Sequence, residues 1–376
     1  MAGIYIHIPF CKTRCIYCDF YSTTRNELKQ PYIRAVCTEL KTRREYLEGE
    51  PVETIYFGGG TPSQLAHDDF ERIFRTIREE YGTAQAEEIT LEANPDDLTE
   101  EYVAMLRTLP FNRVSMGIQT FDDPTLKLLN RRHNAAQAIE AVERLRRAGF
   151  RNISIDLIYG LPGETDKRWK HDLQQAVGLG VEHISAYHLT YEEGTRIYRM
   201  LHEHRISEVD EESSVRFFST LMETLGAAGY EHYEISNFCK PGMYSRHNTS
   251  YWKSIPYLGC GPSAHSFNRE TREWNTASLE TYIKSVEEGH RSCETERLDR
   301  ATRYNEYVMT SLRTRWGISP EEMKRKFGTA LWQYCLRNAA PYLDSGKLER
   351  ADDRLRLTRK GIFVSDGIIS DLMYIE

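Results

Sequence analysis

The stretch "GIYIHIPFCKTRCIYCDF", residues 3–20, combines two patterns that together decide the fold. Its first half is rich in Ile, Tyr and Phe, the residue types enriched in β-strands. Its second half places Cys11, Cys15 and Cys18 at the spacing C-x3-C-x2-C, with no fourth cysteine nearby. A structural zinc site normally takes four closed ligands. The stretch therefore predicts a strand that ends in a loop of three thiolates with one coordination position left over.

Three thiolates on one short loop suit an iron–sulfur cluster. Soft sulfur ligands hold such clusters, and three cysteines can bind three irons of a [4Fe–4S] cluster, which leaves the fourth iron open to another ligand. The alternative is three incidental thiols on a surface loop. We expect the remaining cysteines to be buried free thiols: Cys37, Cys239, Cys260, Cys293 and Cys335.

Similar strand-like runs recur along the first two thirds of the chain, and helical patterns lie between them. The runs are 3–10, 53–60, 88–95, 113–121, 152–162 and 183–190. This alternation predicts an α/β fold with a parallel sheet, open or closed toward a barrel. Polar and glycine-rich phrases follow the runs, among them "GGGTPS", "LEANP" and "DLIYGLPGET". Because the carboxyl ends of barrel strands carry the active site, we expect the functional face there.

The chain changes character after about residue 295, where two helical patterns precede a hairpin that turns at Asp352 and Asp353. Helices with a hairpin predict a small winged-helix-like module. We therefore divide the chain into a barrel over 1–235, a connecting segment over 236–295 and a C-terminal module over 296–376. The module mixes acidic and basic residues, which favours packing against the barrel over DNA binding.

Composition restricts the class of protein further. Hydrophobic residues make up 40% and charged residues 28%, as in ordinary globular proteins. The formal net charge of −7 argues against a nucleic-acid partner. The N-terminus shows no signal-peptide pattern, and no apolar run approaches the roughly 20 residues of a spanning helix. We expect a cytoplasmic protein without a transmembrane segment.

At this point the sequence resembles a known family. "CKTRCIYC" matches the CxxxCxxC signature of radical S-adenosylmethionine enzymes, with Tyr17 as the aromatic residue before the third cysteine. The phrases "YIHIPFC", "GGGTPS", "GIQTF", "LNRRHN" and "DLIYGLPGET" resemble the oxygen-independent coproporphyrinogen III oxidase group, and the resemblance covers nearly the whole chain. It implies a partial (β/α)6 barrel with a C-terminal module. It also implies that S-adenosylmethionine chelates the open iron and is cleaved reductively to a 5′-deoxyadenosyl radical.

The resemblance also assigns residues to the cofactor. Gly59, Gly60 and Thr61 would lie at its methionine end. Its carboxylate, ribose and adenine would be surrounded by Tyr5, Glu92, Gln119, Arg131 and Asp156. The side chains of Glu92 and Asp156 could instead be capping or solvated carboxylates. One member of the adjacent pair Arg131 and Arg132 could simply be solvated.

Two features separate branches of this family. The oxidases carry a fourth cysteine two residues after the third, and this chain has Phe20 there. By having phenylalanine at this position, the chain resembles the related heme chaperones, which keep the cluster and the S-adenosylmethionine site. In "SRHNTSYW", residues 245–252, the chain also resembles their HNxxYW heme motif. The motif implies His247 as a heme ligand; the alternative is a core loop in which His247 is hydrogen-bonded and Tyr251 and Trp252 pack.

Three functions remain open on the sequence. The first is a heme chaperone that binds heme, the cluster and S-adenosylmethionine and passes heme to acceptor proteins, with any membrane contact peripheral and made through an acceptor. The second is an oxygen-independent coproporphyrinogen III oxidase. The third is a non-catalytic iron–sulfur interaction protein. Phe20 and the HNTSYW phrase favour the first over the second.

Overall fold

Six parallel strands form the centre of the computed structural model, which describes residues 1–375. They pair in chain order, so that each strand lies beside the one that follows it. Their bounds are β1 Ala2–Ile8, β2 Val52–Gly59, β3 Glu88–Ala93, β4 Arg113–Gln119, β5 Ile153–Tyr159 and β6 His183–His188. The six predicted strands and the parallel α/β architecture are confirmed.

Helices follow every one of these strands and cover one face of the sheet. They are α1 Lys29–Thr42, α2 His67–Tyr81, α3 Glu100–Leu106, α4 Asp123–Leu128, α5 Ala135–Arg147, α6 Asp166–Gly178, α7 Arg196–His202 and α8 Glu211–Ala227. In α2, Phe70, Ile73, Phe74 and Ile77 recur at three- and four-residue steps and are all buried. This spacing places them on one side of the helix, where they join the main core.

The strands bury apolar residues on the helix side and polar residues on the inner side. In β4, Val114, Met116 and Ile118 belong to the main core, whereas Ser115 and Gln119 line internal cavities. Alternate side chains of a strand point to opposite faces, so the period of two separates the two environments. The inside of the barrel is therefore polar, although the sheet itself is well packed.

Further strands extend the sheet at both edges. The bounds of the added elements are β7 Glu231–Glu234, β8 Asn237–Cys239, α9 Arg246–Trp252, β9 Tyr257–Cys260, β10 His265–Phe267, β11 Thr271–Asn275, α10 Leu279–Glu287 and β12 Cys293–Arg297. β8 pairs with β6, and β9 pairs in parallel with β1 and is followed outward by β10, β11 and β12. Segment 236–295 thus contributes several strands to the sheet, each too short for the sequence to show a clear period.

The C-terminal module has its own buried core. Its elements are α11 Arg300–Leu312, α12 Pro320–Asp344, β13 Leu348–Ala351, β14 Arg354–Leu357, α13 Arg359–Ile362 and α14 Ser365–Leu372. Gly328, with φ of 81°, interrupts α12. Asp352 and Asp353 have positive φ and turn the hairpin between β13 and β14, as the sequence predicts. No helix within residues 1–375 is long and apolar enough to cross a membrane.

Candidate cofactor site

The three-cysteine loop borders a cavity of about 450 Å³ at the carboxyl ends of the parallel strands. Cys11, Cys15 and Cys18 all line it. The Thr61 hydroxyl donates a hydrogen bond to Cys11 Sγ at 3.3 Å, and Arg131 Nη1 donates to Cys15 Sγ at 3.4 Å. The fold thus brings three thiols, a hydroxyl and a guanidinium to one opening.

Most of the residues that the sequence assigned to the cofactor meet in this cavity. Its walls include Cys11, Cys15, Tyr17, Cys18, Gly60, Thr61, Glu92, Gln119, Arg131 and Asp156. Gly59 lies beside it, where its N–H donates to Glu92 Oε2 at 3.2 Å. Tyr5 lies deeper in the barrel, and His247 lies outside the cavity. Asn94 also lines the wall and accepts from Arg131 at 2.9 Å, although only the phrase "LEANP" hinted at it.

Two glycines at the end of β2, Gly59 and the following Gly60, are required by their surroundings. A Cβ at Gly60 would lie 2.8 Å from the Ile8 carbonyl oxygen and from the Pro9 carbonyl carbon, which are backbone atoms of the segment leading to the cysteines. Gly59 has φ of 104°, and a Cβ there would lie 2.6 Å from the His7 ring. Real Cβ atoms do not approach other atoms so closely, so glycine allows β2 to pack against the base of the cysteine loop.

Burial controls the protonation of the thiols. It raises the pKa of Cys11, and it raises the pKa of Cys18 to about 11. Both thiols are therefore protonated at neutral pH when no metal is bound. Because a metal or cluster ligand must be the thiolate, binding of a metal or cluster by these thiols would release protons. Arg131, whose Nε is buried without a partner in the described chain, adds a positive charge next to Cys15.

A second cavity, of about 280 Å³, lies inside the barrel and shares Glu92, Ser115, Asp156 and Tyr187 with the first. Tyr56 donates from its hydroxyl to Glu92 Oε1 at 2.6 Å. Arg113 is 1% exposed, and its Nε and Nη1 have no partner among residues 1–375. The sequence assigned no role to Tyr56 or Arg113. The sequence feature that could have indicated Arg113 is the alternation in β4, which places Arg113, Ser115 and Gln119 on the inner face of the sheet.

Asp97 connects three segments that build the cofactor cavity. It accepts from Lys12 of the cysteine loop at 2.8 Å, from Ser63 at 2.8 Å and Gln64 at 2.6 Å in the turn after the glycines, and from Arg132 at 3.1 Å. Its side chain is 2% exposed. Arg132 is therefore not solvated but anchored, which leaves the neighbouring Arg131 to face the cavity.

Comparison with known proteins places the chain in a family. The model of the radical SAM superfamily matches residues 5–176, and that of the HemN C-terminal domain matches residues 298–364. The chain is 33% identical to the heme chaperone HemW of Lactococcus lactis subsp. lactis (strain IL1403), covering 98% of this chain and 96% of that protein. It is also 33% identical to HemW of Bacillus subtilis (strain 168), with 98% of each chain covered. The chain belongs to the HemW family.

A solved structure supports the same fold. The coproporphyrinogen III oxidase HemN of Escherichia coli, described as a radical SAM enzyme, superposes with a TM-score of 0.85 at 23% identity, covering 99% of this chain and 90% of that one. The radical SAM barrel with a helical C-terminal part, expected from the sequence, is confirmed. At this level of identity the likeness concerns the fold and not the reaction.

The HNxxYW phrase of this HemW-family chain forms α9, at the opposite end of the barrel from the cysteines. Glu88, the first residue of β3, accepts from the backbone N–H groups of Arg246 and His247, both at 2.9 Å. His247 is 1% exposed, and its two ring nitrogens pair with Thr54 Oγ1 and Tyr251 Oη, both at 2.8 Å. This is the hydrogen-bonded core arrangement that the sequence left open. For His247 to bind heme iron, one of these two hydrogen bonds must break.

We expect Asp97→Asn to loosen the cysteine loop of this HemW-family chain. The amide would direct a donor toward Lys12, Ser63, Gln64 and Arg132, which are themselves donors, and it removes the negative charge between two cations. Losing part of a buried charged network should lower the free energy of unfolding by about 1–3 kcal/mol. Reconstituted protein should also release iron to a chelator faster than the wild type. Asp68→Asn, at an exposed carboxylate, is the control, and equal iron release by both variants would count against this role.

We expect Glu92 to make stability depend on pH. Burial raises the pKa of Glu92 to about 7. Above about pH 4 the folded chain therefore keeps a proton that the unfolded chain has released. The contribution of protonated Glu92 to the free energy of unfolding is present at low pH and is lost as the pH rises through 7. Between pH 5.5 and 7.5 the loss is about 2 kcal/mol. The pKa values of several buried histidines are lowered and act in the opposite direction: His7, His133, His183 and His247.

The measurement is therefore a difference between variants. Urea unfolding of wild type and Glu92→Gln at both pH values should show the wild type losing about 2 kcal/mol relative to the variant, because glutamine keeps the uncharged form at every pH. Glu79→Gln, on the exposed face of α2, should follow the wild type. A parallel pH response of Glu92→Gln and wild type would show that Glu92 is already ionised at pH 5.5.

Proposed function

We propose that this chain is a heme chaperone that binds heme, a [4Fe–4S] cluster and S-adenosylmethionine and transfers heme to acceptor proteins. The observation that carries the proposal is its identity of 33%, over nearly the full length of both chains, to proteins named heme chaperone HemW. Cytoplasmic location, and membrane contact only through an acceptor, belong to the same proposal. So does the division into a barrel over 1–235, a heme-motif segment over 236–295 and a C-terminal module over 296–376.

The residues of the first cavity fit the cluster and S-adenosylmethionine. Three thiols line one opening, Arg131 has a buried Nε without a described partner, and two glycines leave room that any Cβ would fill. Within residues 1–375 no three potential ligands converge on a single-ion position. A cluster does not need such convergence, because each cysteine binds a different iron. When bound, the cluster supplies an electron and S-adenosylmethionine supplies the group that accepts it.

In this proposal Cys11, Cys15 and Cys18 hold the cluster, and Tyr17 covers one side of it. Around S-adenosylmethionine, the glycine turn with Thr61 holds the methionine end, and the polar inner face of the strands holds the rest: Tyr5, Glu92, Gln119, Arg131 and Asp156. Tyr5 would take part through the inner cavity, which it lines together with Glu92 and Asp156.

Phe20 supports the chaperone over the oxidase. It lies on the rim of the first cavity and is 64% exposed. The oxidases carry a cysteine at this position, and phenylalanine can neither ligate a metal nor transfer a proton or hydrogen atom through sulfur.

One anaerobic, cluster-loaded preparation tests the proposal. We expect it to bind heme, observed as a shifted Soret band on titration, and to form no protoporphyrinogen from coproporphyrinogen III when reductant and S-adenosylmethionine are present. Formation of protoporphyrinogen would establish the oxidase instead. Absence of both activities, with the cluster intact, would leave the non-catalytic iron–sulfur protein as the function.

A further inference from the structure

A basic cavity of about 480 Å³ lies between the barrel and the C-terminal module. It shares no lining residue with the cofactor cavity. Its walls come from the residues that follow α9, from β10, and from α11 and the first half of α12. Six cations border it: Lys253, Arg269, Arg300, Arg303, Arg325 and Lys326. The chain as a whole has a formal net charge of −7, so this cavity is a positively charged region on an acidic protein.

The two carboxylates on the wall neutralise only one of these six cations. Glu306 pairs with Arg272 at 2.8 Å, and Glu322 pairs with Lys326 at 2.8 Å. Of the other cations, only Arg269 has a carboxylate partner, Glu50. No ion pair to a carboxylate within residues 1–375 involves Lys253, Arg300, Arg303 or Arg325. The cavity therefore has about four positive charges to offer to an anion.

The same cavity also has apolar walls and continues toward the HNxxYW helix. Phe267 and Phe327 line it, and both are buried. A neighbouring cavity of about 340 Å³ shares Lys253 and Tyr307 and adds the rings of Trp252 and Trp316. Trp252 ends the HNTSYW phrase, and its indole Nε1 is buried with no acceptor in the described chain. A ligand that fits both cavities is flat, largely apolar, and anionic at one edge.

We infer that the basic cavity binds the two propionates of heme, with the macrocycle extending toward Trp252 and Trp316. The inference rests on the proposed function and names the place where the heme carboxylates are held. Heme is a flat apolar ring with two carboxylates on one side, and guanidinium groups bind carboxylates through paired hydrogen bonds. Sites between domains are common places for such ligands. Arg300, Arg303 and Arg325 are the propionate-binding residues in this arrangement.

The test compares heme with heme dimethyl ester, in which both propionates are esterified and uncharged. The variant carries Arg300→Gln, Arg303→Gln and Arg325→Gln. Because Arg300 also donates to the Phe327 carbonyl, a second variant changes only Arg303 and Arg325, whose side chains contact no carboxylate or remote backbone group in the described chain. A control variant carries Arg72→Gln, Arg75→Gln and Arg78→Gln, exposed residues of α2; it loses the same number of charges.

We expect wild type to bind heme about tenfold more tightly than the ester. The triple variant should lose about tenfold in heme affinity and bind the ester as wild type does, since each partly exposed ion pair contributes only a fraction of a kcal/mol to about one. The double variant should lose less, and the α2 control should lose nothing. Because the contacts are charged and near solvent, the preference for heme over the ester should shrink at high salt.

Each other outcome has a distinct meaning. If wild type binds no heme, the proposed function fails and the inference fails with it. If wild type binds heme and the triple variant binds it equally well, the function stands and the inference is overturned. Equal weakening in the α2 control would show a general charge effect and overturn it too. Binding of phosphatidylglycerol vesicles by wild type but not by the triple variant, with heme affinity unchanged, would assign the cavity to anionic lipid headgroups instead.

Discussion

Alanine at Cys11, Cys15 or Cys18 is expected to abolish the iron–sulfur cluster, whereas alanine at any of the other cysteines should leave it intact. The three loop thiols line one cavity, while the other five lie elsewhere in the fold. Cys260, for example, is 0% exposed and pairs with Ile6 across the β1–β9 ladder. A cluster with one missing thiolate has two irons open to water, so stable retention should fail rather than weaken.

Iron and sulfide analysis of anaerobically reconstituted protein measures this directly. Wild type should hold about four irons per chain, the content of one such cluster, and each loop variant close to none. Cys260→Ala and Cys239→Ala are matched controls because they also remove a sulfur; they should cost about 1 kcal/mol or more of stability through the small cavity they leave. Loss of iron from either control, with the fold retained, would show that the ligand set is wrong.

Alanine at His247 is expected to have the largest effect on stability of any single change discussed here. It removes a ring that is 1% exposed, stacked on Tyr56 with 5.0 Å between ring centroids, and bonded through both nitrogens. Thr54 and Tyr251 would each keep a buried hydroxyl without its partner. Cavity formation and two lost hydrogen bonds should together lower the free energy of unfolding by about 3–4 kcal/mol.

The same variant tests whether His247 binds heme iron. The pKa of His247 is lowered to about 3 by burial, so its ring is neutral at physiological pH and chemically able to bind iron. If it does, His247→Ala should change the heme spectrum, and Tyr251→Phe, which frees one ring nitrogen, should not weaken heme binding. If the ring is structural only, His247→Ala should destabilise the chain and leave the spectrum unchanged. His290→Ala, at an exposed ring, should change neither stability nor spectrum.

Much of the cofactor end of the barrel could be predicted because its residues follow the strands in short, compact phrases. Cys11, Cys15 and Cys18 share one loop, and the carboxyl ends of parallel strands meet at one edge of a sheet. That rule alone brings Gly60, the residue that follows β2, close to Cys11, although 49 positions separate them in the sequence. Local sequence and strand topology were therefore sufficient to predict which residues meet at this end of the barrel.

The interior and the far end of the barrel could not be predicted in the same way. Tyr56 donates to Glu92 on the neighbouring strand, and Arg113 is buried with two nitrogens unpartnered in the described chain. Both placements depend on strand register rather than on any local phrase. The site of α9 was likewise invisible, because Glu88, which holds its first turn, is an ordinary strand residue in the sequence. Polar residues at alternate positions of β4 did indicate which face of this strand is internal. They did not indicate which residues of other elements contact that face.

The pairing of β1 with β9 has a consequence for how the chain is made. The strand that carries the cysteine loop pairs on one side with β2 and on the other with Tyr257–Cys260, so that Gly3 lies opposite Tyr257. A ribosome adding about 5–20 residues per second needs on the order of tens of seconds to synthesise the intervening chain. During that time β1 has an unpaired edge, which is prone to associate with other chains. We therefore expect the sheet that supports the cysteine loop to be complete only after β9 has been synthesised.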